Sequence, residues 1–162
     1  SKNLNKSFLE LGSGTGFISV LAAKNGAKVL ATDVNPAALK NTALNAQLNQ
    51  IELENLSSDL FESVPKQTFD FIVINPPYYP KAPKTVAEQA WFCGENFEYF
   101  EKLFDQLPNY FNEKSFVYMI LSEDCELEKI QEIALKSSIK FEEVEGSKKW
   151  GEWTMIYRLF MS

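Results

Sequence analysis

Four short clusters of chemically capable residues lie along this 162-residue chain, each directly behind an apolar run. The first is Glu10-Leu-Gly12-Ser13-Gly14-Thr-Gly16. Glycines let backbone come close to a ligand, and a helix opening behind them offers free N–H groups with partial positive charge. A dinucleotide loop of the Gly-x-Gly-x-x-Gly type would need glycine at position 17, where Phe17 stands. A nicotinamide oxidoreductase is thereby disfavoured. A carboxylate two residues ahead of Gly12 would repel a pyrophosphate and would suit a ligand carrying an ammonium group.

Asp33 follows the second apolar run, seventeen residues beyond Gly16. There it is placed to accept from the two hydroxyls of a ribose, or else to stabilise the dipole of the next helix. Asn35 is the better helix cap, which favours the ribose. Asp59 ends Ser57-Ser58-Asp59; it is placed to accept from an adenine amino group or to cap residues 60–64. Asn75-Pro76-Pro77-Tyr78 comes last. Two prolines lock the backbone and donate nothing, so the carbonyls before them stay free to accept. The Asn75 carboxamide adds one acceptor and two donors, and Tyr78 adds a flat ring. Acceptors beside an aromatic face would grip a planar amino group, of a nucleobase or of a carboxamide.

Composition removes several alternatives. The chain has no histidine, so it holds no Ser-His-Asp triad, no Cys-His pair and no imidazole acid or base. Cys93 and Cys125 are too far apart for a Cys-x-x-Cys metal or redox pair, and no metal site is expected. Net charge is −6, with residues 1–50 at +3 and residues 51–162 at −9. Apart from Lys81 with Lys84 and Lys148 with Lys149, there is no basic stripe of the kind an unaided nucleic-acid binder carries. No apolar run approaches the ~20 residues needed to cross a bilayer, and few cysteines suit a reducing cytoplasm. The chain opens at Ser1 without Met, which leads us to expect a missing N-terminal segment. Length predicts one domain over 1–162.

The elements that must position these clusters are legible in outline. Strands are predicted at Ser7–Leu11, Lys28–Thr32, Ile51–Leu56, Phe69–Ile74 and Phe116–Leu121. A closing pair follows at Lys140–Val144 and Trp153–Phe160 around a turn at Gly146–Gly151. Helices are predicted over Phe17–Lys24, with Phe17, Val20, Leu21 and Lys24 at helical spacing. A second starts behind the Asn35-Pro36 cap and reaches Leu48. A long one spans Val86–Leu107, with Phe97, Phe100 and Phe104 as a core stripe. A last one, capped by Ser122, carries Leu127, Ile130 and Ala134. Strand–helix alternation of this kind predicts a parallel, doubly wound sheet whose ligands sit at the carboxyl ends of the strands. Trp91 and Phe92 lie nearest the Asn-Pro-Pro-Tyr motif and are the aromatic candidates for the target pocket; Trp150 and Trp153 are read as hairpin packing.

Taken together, the four strand ends resemble those of class I S-adenosylmethionine-dependent methyltransferases, across essentially the whole chain. The resemblance implies a Rossmann-like α/β/α sandwich with seven mostly parallel strands and an antiparallel closing strand. It implies that Gly12, Ser13, Gly14 and Gly16 border the methionine part of the cofactor and that Glu10 engages its ammonium group. Asp33 would hold the ribose hydroxyls and Asp59 the adenine amino group, with Val34, Leu60 and Asn75 also among the cofactor-binding residues. Asn75, Pro76, Pro77 and Tyr78 would hold and orient the nitrogen to be methylated. Within that class the chain looks nearest to the HemK-like release factor glutamine methyltransferases. Ala90-Trp91-Phe92-Cys93-Gly94-Glu95-Asn96 resembles their stretch after the motif, with Cys93 and Phe97 where glycines are usual. The substrate implied is a glutamine amide in a release-factor-like protein, with room for a small activator subunit. The alternative is adenine-N6 methylation of RNA or DNA. A rival of another class is a non-catalytic subunit that kept the sheet, against which Glu10, Asp33 and the Asn-Pro-Pro-Tyr motif speak.

Overall fold

The computed structural model describes residues 5–149 and 151–162. Seven strands form one sheet: β1 (Ser7–Leu11), β2 (Lys28–Asp33), β3 (Glu54–Ser57), β4 (Phe71–Ile74), β5 (Phe116–Ser122), β6 (Ile139–Lys149) and β7 (Glu152–Met161). Their order is β3-β2-β1-β4-β5-β7-β6. The first five pair in parallel, and β7 joins β5 and β6 antiparallel. This is the expected Rossmann-like sheet with an antiparallel closing pair. The chain leaves β1 towards β3 and returns to β4 on the other side of β1, so the gap between β1 and β4 is the switch point.

Four helices connect the strands: α1 (Phe17–Lys24), α2 (Pro36–Leu48), α3 (Glu98–Gln106) and α4 (Leu127–Lys136). Right-handed crossovers put α1 and α2 on one face of the sheet and α3 on the other, where it packs with α4. Side chains alternate along a strand, and in β1 the alternation separates two environments. Leu9 and Leu11 join Ile72, Ile74, Val117, Met119, Phe100, Phe104 and Ile130 in the main core. Phe8 and Glu10 point to the opposite face. Phe97, Phe100 and Phe104 are buried as the stripe predicts.

Asn35 caps α2 as expected, its side-chain oxygen accepting from the Ala37 N–H at 2.9 Å, with Pro36 in the first turn. Other boundaries move for identifiable reasons. The strand expected from Ile51 starts at Glu54, because the Ile51 N–H is spent on the Ala46 carbonyl in closing α2. The one expected from Phe69 starts at Phe71, since the Phe69 N–H goes to the Tyr110 carbonyl and Asp70 binds Lys6 and Ser7. The turn expected over Gly146–Gly151 narrows, because β6 continues to Lys149 and pairs with Glu152. Trp150 lies outside the described residues; Trp153 carries Lys148 against its ring, 6.0 Å away.

Two expectations fail more clearly. The long helix Val86–Leu107 is broken: a 3-10 turn covers Ala87–Ala90, and α3 begins only at Glu98. Between them Trp91 to Cys93 run alongside Tyr79, and both Gly94 (φ 92°) and Phe97 (φ 62°) take left-handed backbone. Ser122 does not cap α4. It closes β5, accepting from the Asp124 N–H at 3.2 Å and donating to Glu152, and Glu126 precedes the helix without a side-chain cap. α1 has the expected bounds; its buried residues are Ser19 and Val20, while Phe17 and Leu21 are exposed. The helix leans on α2 through Gly16, where an added Cβ would fall 2.8 Å from Thr42.

Candidate functional site

The carboxyl ends of β1 to β4 and the segment 82–102 enclose a cavity of about 800 Å³, within the range of small-molecule and cofactor sites. Its walls include Gly12, Gly14, Asp33, Val34, Asp59, Leu60, Asn75 and Pro77. Residues from four separate strand ends therefore meet, as the sequence reading requires. Gly12 and Gly14 have φ of 74° and 54°, a backbone region open to glycine. A Cβ at Gly12 would lie 3.9 Å from the Asn75 carbonyl, so the β1 loop and the end of β4 stand side by side at the switch point.

Asp33 is held by two backbone donors. Its Oδ2 accepts from the Gly14 N–H at 3.0 Å and its Oδ1 from the Asn35 N–H at 2.8 Å. A carboxylate has about four acceptor positions, so it keeps capacity for a diol in the cavity. The Gly14 bond also ties the glycine loop to the end of β2. Asp59 does not cap residues 60–64 with its side chain; its Oδ2 pairs with Lys102 at 2.7 Å. Leu60 takes φ 51° and buries its side chain in the core.

Three residues expected on the ligand stand behind the loop rather than on the cavity wall. Ser13 is buried and its Oγ lies 3.0 Å from the Thr42 hydroxyl. Gly16 is occupied by the α1–α2 contact. Glu10 is 4% exposed; its Oε2 accepts from the Ser19 N–H at 3.0 Å and from the Ser19 hydroxyl. Burial pushes its pKa up to about 7, against the pull of the two Ser19 bonds and with a smaller push from the charge of Asp33. Glu10 thus fixes the start of α1 behind the loop.

Pro76 and Tyr78 also lie off the large cavity. They line a second, smaller recess of about 230 Å³ together with Tyr79, Ala90 and Trp91. Asn75, Pro77 and Ala90 border both spaces. The recess keeps its shape because Tyr79 is stitched to the returning chain: its N–H donates to the Trp91 carbonyl at 3.1 Å and its carbonyl accepts from the Cys93 N–H at 2.9 Å. Tyr78 and Tyr79 have ring centroids 4.8 Å apart. The Tyr79 pKa is raised, first by Tyr78, then by burial and by the charges of Asp124 and Glu152. Trp91 is 61% exposed at the rim.

Of the far wall of the large cavity, Phe92 is expected near the site from the sequence, whereas Pro83, Val86, Cys93, Tyr99 and Lys102 are not. The signal was Gly94 inside the supposed helix. Burial, followed by the charges of Asp59 and Asp33, holds the Tyr99 phenol well above its ordinary pKa. Burial also pushes the Cys93 thiol up to about 11, so it stays protonated. Among the described residues, no helix is long and apolar enough to cross a membrane.

With this geometry in view, the comparisons with known proteins are specific. The profile of the methyltransferase small domain family matches residues 1–94. A Methanocaldococcus jannaschii protein named as a protein N5-glutamine methyltransferase is 34% identical, over 90% of this chain and 82% of its own. A release factor glutamine methyltransferase of Aquifex aeolicus is 33% identical over 71% of this chain, which spans only 46% of that protein. In solved structures, a Pyrococcus furiosus methyltransferase superposes with a TM-score of 0.73 at 22% identity, covering 98% of this chain and 77% of that one. The E. cuniculi Mtq2–Trm112 complex, which is responsible for methylation of the eRF1 translation termination factor, gives 0.72 at 20% identity, covering 98% of this chain and 87% of that one.

Proposed function

Because the chain belongs to the methyltransferase small domain family of S-adenosylmethionine-dependent enzymes, we propose that it methylates the side-chain amide nitrogen of a glutamine in a protein of release-factor type. The observation that carries this reading is Asn75, which borders both the large cavity and the recess. A donor in one space and a planar acceptor in the other would meet at that residue.

The residues present fit the cofactor. The large cavity has a glycine-lined floor at Gly12 and Gly14, an Asp33 carboxylate with free acceptor capacity, and Asp59 and Leu60 on a further wall. In the proposed assignment these residues hold methionine, ribose and adenine in that order, with Val34 against the nucleoside. Ser13, Gly16 and Glu10 act through the loop they brace. When bound, S-adenosylmethionine supplies a methyl group already activated on a sulfonium, which is why a chain without histidine suffices.

The protein's part is then to place a nitrogen. The Asn75 side-chain oxygen and the Pro76 carbonyl accept from the target –NH2, aiming its lone pair and stabilising positive charge as it grows. Pro77 keeps the backbone from donating in their place. Tyr78 packs on the planar group, and the Tyr79–Trp91 stitch holds the recess around it. The similarity to proteins named as glutamine methyltransferases supports an amide acceptor. The net charge of −9 over residues 51–162 would repel a phosphate backbone, which supports protein over RNA or DNA. One domain over 1–162, a cytoplasmic setting and a small activator subunit belong to the same proposal.

The test has two arms. Labelled-methyl transfer into a cell lysate should enter a protease-sensitive fraction; label confined to an RNase-sensitive fraction would refute the protein acceptor. Asn75→Ala should abolish transfer and leave cofactor affinity by isothermal titration within about twofold, because it removes an interaction made only with the acceptor. Lost cofactor binding instead would take Asn75 out of the acceptor role.

A further inference from the structure

Lys102 sits on α3, 43 and 40 residues from its two partners in the loop after β3. Its Nζ lies 2.7 Å from Asp59 Oδ2 and 2.6 Å from Glu62 Oε1. Lys102 and Asp59 both line the large cavity, whereas Glu62 does not. The three side chains remain 34%, 53% and 57% exposed, and ion pairs so open to water add little to folding. What the bridge does is hold Asp59. One carboxylate oxygen is tied to Lys102, and Oδ1 makes no hydrogen bond among the described residues.

We propose that Lys102 is a positioning residue for purine recognition: by fixing Asp59 Oδ2 it presents Oδ1 to the cavity as the acceptor for a 6-amino group, so that the site selects adenine over a 6-oxo purine. This rests on reading the cavity as the cofactor's. An ionised carboxylate can only accept, so a 6-oxo group there would set acceptor against acceptor. The lysine cannot compensate readily, because two of its three donors are already committed to carboxylates.

A lysine acting only through its charge would shift the adenosyl and inosyl compounds alike, because the two carry the same charged groups. A lysine serving only the fold would, on removal, weaken every ligand alike. Positioning predicts a loss confined to the 6-amino ligand.

The test is isothermal titration of the full chain with S-adenosylhomocysteine and S-inosylhomocysteine. The wild type should prefer the adenosyl compound by about tenfold or more, the scale of one charge-assisted hydrogen bond. Lys102→Met should weaken adenosyl binding by about tenfold and leave inosyl binding unchanged, so that the preference collapses. Lys102→Arg should restore it, since the guanidinium can bridge the same two carboxylates. Asp59→Asn, whose amide can turn to donate, should narrow or invert the preference with Lys102 intact. Equal weakening of both ligands by Lys102→Met, or unchanged or tighter adenosyl binding, would overturn the proposal. If the wild type binds neither compound, the cofactor reading of the cavity falls and this proposal with it; binding of both without preference removes only the role of Asp59 and Lys102.

Discussion

Glu10→Gln should make the protein more stable at pH 8 and should remove much of its pH dependence. Glu10 is buried against the start of α1, with a pKa displaced from 4.5 to about 7. The folded chain therefore holds this proton more tightly than the unfolded chain. Stability falls as pH rises from about 4.5, and the loss is complete once pH passes about 7. A displacement of one pH unit is worth about 1.4 kcal/mol, so at pH 8 the ionised carboxylate costs about 3 kcal/mol. Glutamine keeps an oxygen for the two Ser19 donors and carries no charge to desolvate. Its amide N–H groups need partners behind the loop, which offsets about 1 kcal/mol of the gain. The net expectation is a gain of about 2 kcal/mol at pH 8 and a small loss near pH 4.5. Urea unfolding of both proteins at half-unit steps from pH 5 to pH 8 checks this. The self-repulsion of a −6 chain acts almost equally on the two, so their difference isolates Glu10. Parallel curves over that range would refute the claim that this carboxyl holds a proton in the folded state.

Two further substitutions probe the same loop. Gly16→Ala should destabilise by about 2–3 kcal/mol and Gly14→Ala by about 1 kcal/mol in urea melts, because both need left-handed backbone but only the first drives a Cβ against Thr42. Comparable losses for the two would show that the α1–α2 contact does not limit position 16. Asp33→Asn should weaken cofactor binding by about tenfold in isothermal titration, through loss of a charged acceptor. Its thermal midpoint should move by no more than a few degrees, since the amide oxygen can still accept from Gly14 or Asn35; an unchanged affinity would remove Asp33 from the ribose role.

What could be read from the sequence was local. The Asn35-Pro36 cap, the glycine loop and the apolar runs each carry their structural instruction within a few residues, and they place the four clusters at the ends of adjacent strands. What could not be read depends on partners far along the chain. Phe97, Phe100 and Phe104 keep helical spacing, so the pattern reads as one long helix. Nothing local shows that Tyr79 will take the backbone of Trp91 to Cys93 into a short pairing and halt it. Lys102 with Asp59 is a pair separated by 43 residues, and Glu10 turning inward to Ser19 depends on which face of β1 packs under α1. The strand-end residues that line the cavity were therefore legible, and those that brace it were not.

That division follows from the chemistry proposed for the site. A transfer to an amide nitrogen from a pre-activated methyl donor asks for fixed acceptors more than for acids and bases, and fixed acceptors depend on the groups that hold them. Asp33 is held by the Gly14 and Asn35 N–H groups, Asp59 by Lys102, and Asn75 by a rigid Pro-Pro segment beside the Tyr79–Trp91 stitch. Glu10, which braces the glycine loop through Ser19, is a support that carries a cost. A buried carboxylate that lowers stability at neutral pH has a use where its geometry matters more than its energy, and Glu10 lies directly behind the glycine loop proposed to approach the cofactor. If Glu10→Gln is more stable at pH 8 and yet binds S-adenosylmethionine less tightly, the cost and the purpose reside in the same side chain. If it is more stable and binds equally well, the charge of Glu10 is not what orders the loop, and the Ser19 hydrogen bonds alone suffice.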